Sequence, residues 1–108
     1  MAIESGKLRH RISLYRVDRN GRDASGQKID VLELISPVWA EVLTSKQVIQ
    51  RLGSGVDHAK KKIFHCRYRD GINVGDVIQH QSQMYSIVAV ENPADKNIEL
   101  FIEAELQP

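Results

Sequence analysis

Apolar and polar residues alternate one for one along most of this chain, and a period of two predicts strands. Over residues 8–17, Leu8, His10, Ile12 and Leu14 share one face, and Arg9, Arg11 and Ser13 share the other. Residues 27–35 are apolar through Ile29, Val31, Leu32, Leu34 and Ile35. Pro37 cannot donate to a ladder, so a kink is expected before the next strand, residues 38–43. Over residues 63–69, Phe64, Cys66 and Tyr68 alternate with Ile63, His65, Arg67 and Arg69. Residues 77–80 and 84–90 follow, and the second run is apolar on both faces, which predicts the most central strand. Ile98, Leu100, Ile102, Ala104 and Leu106 then alternate with Glu99, Phe101, Glu103 and Glu105, the cleanest strand pattern of the chain.

One stretch breaks the period. Val48, Ile49 and Leu52 stand at helical spacing, with Ser45 as a candidate N-cap and Gly53 as a stop. So short a helix needs something to pack on. It lies inside a polar connection, residues 44–62, which also holds Gly53 and Gly55. Residues 18–27, with an Asn20-Gly21 pair, read as a second long loop, and residues 1–7 as a flexible arm. The sum is an all-β fold: a small six- to seven-stranded antiparallel barrel or sandwich with long loops and one short helix. Leu8, Ile12, Trp39, Tyr68, Tyr85 and Leu100 are the expected core.

The 108 residues make one domain, large enough to bury a core without disulfides. No apolar run is long enough for a membrane helix, and residues 1–7 lack the apolar centre of a secretory leader. The net charge is only +1, but it is unevenly placed. Lys7, Arg9, Arg11, Arg16, Arg19 and Arg22 crowd the first fifth of the chain, whereas Glu91, Asp95, Glu99, Glu103 and Glu105 crowd the last. Such opposed patches suit a subunit contact or a charged partner, or are simply solvated strand faces.

No chemistry competes with that reading. His10, His58, His65 and His80 have no ligand spacing, so no metal is expected. Cys66 excludes an internal disulfide and reads as a small buried hydrophobe. The serines lack a nucleophile frame, and Gly53-Ser54-Gly55 is too short for a phosphate cradle. No catalytic residue and no cofactor are expected. Arg67-Tyr68-Arg69, with Tyr15 and Arg16, keeps a nucleic-acid-binding barrel open, although aromatics are only 6% of the chain, little material for a stacking platform.

The order of short motifs is more specific than any one of them. Gly6-Lys7-Leu8-Arg9-His10-Arg11-Ile12 opens the chain, Asp23 and Gly26 mark the first loop, and Val38-Trp39-Ala40-Glu41-Val42 follows. Arg67-Tyr68-Arg69-Asp70-Gly71-Ile72, Asp76-Val77-Ile78, Tyr85-Ser86-Ile87 and Glu91-Asn92-Pro93 complete the series. This resembles the head–tail joining, or head-closure, proteins of tailed bacteriophages and prophages. The resemblance implies a structural virion protein, not an enzyme. It implies a monomer in the host cytoplasm that joins a dodecameric ring under the portal and adaptor, holds packaged DNA behind its channel and docks the tail. By position, Val48, Ile49, Leu52, Gly53 and Gly55 would belong to the channel or gating loop. Arg16, Arg19, Arg22, Glu99, Glu103 and Glu105 would make adaptor or subunit contacts. The chain departs from the family in one place, for the helix at residues 45–50 has neither an acid nor an aromatic. A tail-completion or terminator protein is the neighbouring alternative.

Overall fold

Among the described residues, six antiparallel strands close on themselves in the order β1-β2-β3-β6-β5-β4. They are β1 (His10–Arg22), β2 (Lys28–Val42), β3 (Lys61–Arg67), β4 (Val77–His80), β5 (Gln83–Glu91) and β6 (Glu99–Leu106), with one helix, α1 (Ser45–Leu52), between β2 and β3. This computed structural model describes residues 6, 8–53 and 60–107, apart from the side chains of Arg19, Asn20 and Ser45. Gly55 and, except for Gly6, the expected N-terminal arm through residue 5 and Lys7 lie outside the described residues.

Inward-facing positions of all six strands fill the barrel. Ile12, Leu14, Ala40, Phe64, Cys66, Ile78, Tyr85, Ile87, Leu100, Ile102 and Ala104 form the core, with Ile72 closing one turn. Phe64 is the largest fully buried side chain, with Val42 and Ile102 as its cross-strand partners. Its ring meets His80 and Tyr85 edge to face, at 5.5 and 5.9 Å. Leu8 is also buried, and Tyr68 packs half-buried against the core.

The indole of Trp39 is no part of this core. It is 50% exposed, opposite Arg11 on the outer wall, with the guanidinium carbon 5.0 Å from the ring centre. Strand parity explains the correction, since Val38 and Ala40 take the inward positions on either side.

The kink expected at Pro37 is a bulge instead. β2 runs unbroken through Pro37, which stands opposite Ser13, and Ile35 is the extra residue that shifts the register. β5 is not the most buried strand: Val88 bulges out of its ladder with β6 and is 37% exposed. A closed barrel has no central strand to favour. The hairpin joining β4 and β5 turns on Gln81 and Ser82, at φ 51° and 66°, the two left-handed positions of a type I′ turn made without glycine.

The largest difference from expectation concerns residues 18–27. β1 continues to Arg22 and β2 begins at Lys28, so only five residues form the loop. Asp23 closes it, accepting from Ser25 Oγ at 2.7 Å and from the amides of Gln27 and Ser25 at 2.9 and 3.0 Å. Those donors hold its carboxyl below the usual range. An extra residue in β1 between Asp18 and Gly21 absorbs the irregularity. Gly21 is required there, because a Cβ on it would stand 2.2 Å from Val31 Cγ2.

Candidate assembly surfaces

The β1–β2 pair outruns the barrel. β1 pairs with β4 only as far as Tyr15, and β2 pairs with β3 only from Ala40. Beyond those points the two strands form an arm with a single ladder between them and an open edge on each side, among the described residues. The chain spans 49 × 30 × 25 Å, and its radius of gyration is 14.8 Å. A compact domain of this length has about 13 Å, so the arm projects.

Cross-strand partners share a face. Tyr15 lies opposite Leu34 and Val17 opposite Leu32, so these four make one apolar patch on the outer face of the arm. Leu34 is 56% and Leu32 45% exposed. Ile29 and Val31, each 39% exposed, belong to the other face. Arg22 and Lys28 pair at the tip, where Arg22 Nη1 donates to Gly26 O at 3.2 Å. The signal was present in the sequence as the doubled apolar pairs Val31-Leu32 and Leu34-Ile35. A strand apolar on both faces expects cover on both.

On another wall, α1 lines one cleft together with residues of β3, β5 and β6. Its N-cap is Thr44, one residue before the expected Ser45. Thr44 Oγ1 accepts from the Gln47 amide, and the Gln47 side chain accepts from the Thr44 amide, a capping box. Gly53, at φ 92°, ends the helix. Val48 is buried against its own chain and Leu52 half-buried, which leaves Ile49, 39% exposed, as the outward residue of the expected stripe. The stripe is therefore largely covered without a neighbour.

Arg51 fastens the helix. Its guanidinium lies 3.8 Å from the Phe101 ring centre and donates to Glu91 Oε1 at 2.7 Å. His65 stacks on the same ring at 4.1 Å, and its two nitrogens face Glu41 and Glu99, each at 3.1 Å. A cleft of about 400 Å³ opens beside Arg51, floored by Leu52, Ile63, Val90 and Phe101 and rimmed by Glu91 and Glu103.

The charged candidates divide accordingly. Glu99 is engaged by His65, and Glu103 stands 3.9 Å from Lys61. Glu105 and Arg16 are exposed, and the Arg19 side chain lies outside the described residues. The structure brings Glu103 close to Leu52 but leaves Arg16 and Arg22 on the arm. Arg51, His65 and Phe101 were missed as site residues, since nothing in their spacing announces that they meet; Leu32 and Leu34 were missed although their doubled apolar pairs carried the signal.

Among the described residues, no three His, Cys, Asp or Glu side chains are placed to hold a metal ion. No described helix is long and apolar enough to cross a membrane. Comparison with solved structures found protein SF1141 of Shigella flexneri 2a, with a TM-score of 0.68 and 23% identity over 96% of both chains. At that identity the likeness speaks for the fold. Comparison with curated proteins found no match. A family model described as phage head completion protein matches residues 3–106.

Proposed function

The chain belongs to the phage head completion protein family, and from that premise we propose that its copies assemble as a ring beneath the portal and adaptor. The family assigns a structural role in closing the phage head, and with it a place in the virion among other head and tail proteins. The ring, the DNA retained behind it and the tail-docking surface below it are our reading. One observation supports it: the arm, with apolar side chains on both faces and both edges open among the described residues, is suited to being covered by other chains. The helix and its cleft are a second surface on the same small domain. In the assembled ring, the loop containing α1 lies toward the channel, and Gly53 is its pivot.

Deleting the gene from the parent phage or prophage tests this reading by electron microscopy and infectivity. Free tails beside tailless heads that have lost their DNA are the expected result. Tailless heads that keep their DNA would move the protein to tail attachment, as a completion or terminator protein. Normal particles would overturn the reading.

A further inference from the structure

The arm and the cleft lie on opposite walls. In the closed order, three steps separate β1 from β6 in either direction. The arm springs from β1 and β2, and the cleft is centred on β6, with β3 and β5 beside it. No chain's arm therefore faces its own cleft. Resting on the ring reading, we propose that the outer face of the arm docks into the cleft beside α1 of the next copy.

The two surfaces match in kind. The arm offers Leu32 and Leu34, then Asp30 at the same strand parity, and the Arg22–Lys28 cation pair beyond them at the tip. The cleft offers an apolar floor; Arg51, bonded to Glu91, also lines it, and with Glu91 and Glu103 on the rim the lining has an excess of acid. Apolar surface meets apolar surface, and the two tip cations meet a lining in which acids outnumber cations. Reach is sufficient, because the seven β1 residues past Tyr15 (residues 16–22) extend about 23 Å at ~3.3 Å per residue. A contact between two different surfaces is heterologous, and it closes a ring where the rotation per copy divides a full turn without a rise along the axis. Pairing of two arms by their open edges would instead join copies in twos.

Cysteine cross-linking separates these cases. Leu34 and Ala89 are exposed, one on the arm and one at the cleft, and the native Cys66 is buried. Particles carrying both Leu34→Cys and Ala89→Cys are oxidised mildly and run on a non-reducing gel. The expected result is a ladder rising past dimer in the double variant, with monomer in each single variant. Dimer alone from Leu34→Cys would establish arm-to-arm pairing and overturn the proposal. A band joining Leu34→Cys to a different virion protein would give the arm to that partner and overturn it equally. Lysine cross-linking of the same particles keeps the two readings apart. Copy-to-copy products without a disulfide ladder would leave the ring standing and remove the arm–cleft contact. Absence of both would remove the ring as well. Should the substituted heads fail to assemble, Leu32→Cys with Gln50→Cys, the second also exposed at the cleft, carries the same test.

Discussion

The barrel and the arm are made partly of the same two strands, yet they solve opposite problems. Within the barrel, Ile12 and Leu14 of β1 and Ala40 of β2 are essentially buried, enclosed by four further strands. A few residues along, Leu32 and Leu34 of β2 stand about half exposed with one strand beside them. Residue type does not differ between the regions; cover does. Apolar burial contributes roughly 25 cal/mol per Å², and within the single chain the barrel gains it where the arm does not. A two-stranded ribbon is marginal in water by itself, and this one borrows its stability from its root.

Substitutions should separate the two regions, beginning where the effect is greatest. Phe64→Ala empties the barrel centre and should cost ~3–5 kcal/mol in denaturant unfolding; a loss under one would mean the core does not depend on that ring. Gly21→Ala forces a methyl against Val31 and should cost ~1–3 kcal/mol, confined to the arm. Hydrogen exchange should quicken at residues 17–33 while the barrel amides keep their protection. Global unfolding instead would show the two regions to be one cooperative unit. Arg51→Ala removes a stacked, partly exposed cation and should cost roughly 0.5–1 kcal/mol, read as faster exchange in α1 alone.

A smaller effect concerns His80. Burial holds its imidazole below the ordinary range, helped by the Lys62 ammonium and by His10. Lys62 Nζ lies 3.4 Å from Nδ1, and Nε2 lies 3.3 Å from His10 Nδ1, so a neutral ring with its proton on Nε2 suits both neighbours. As pH falls, the unfolded chain takes up this proton first, near pH ~6.5. Stability is therefore full above that value and declines as pH falls through it toward the folded value. Thermal melts from pH 7.5 to 5 should slope downward in the native protein and less in His80→Gln; parallel slopes would assign the decline elsewhere. The least effect on folding belongs to Leu34→Ala, within ~0.5 kcal/mol, although head closure in particles should suffer. Normal infectivity from that variant would remove the arm from assembly.

Sequence pattern revealed the barrel and hid the arm for the same reason. Alternation around Ile102 or Phe64 reports that one face is buried, and it does so wherever a strand has a wet side. It says nothing about how far a strand continues past its neighbours. Asn20-Gly21 reads as a turn by local propensity, yet the pairing of β1 with β2 carries the ladder past it through a bulge. Pro37 reads as a break, yet it stands outside the stretch of β2 that pairs with β3, with no other strand on that side among the described residues. Trp39 was misplaced because a lone indole in an apolar run invites burial, whereas parity sends it outward over Arg11. Glu103 and Glu99 were legible as charges but not as paired ones, since Lys61 and His65 come from a strand some forty residues earlier.

Cys66 sits in the barrel wall with no exposure, and burial pushes its thiol up to about 11. A virion passes from a reducing cell into air-saturated surroundings, where thiolates oxidise or exchange partners. This sulfur is protonated and sealed on both sides of that passage. The particle can therefore change redox environment without this subunit acquiring or exchanging a covalent bond.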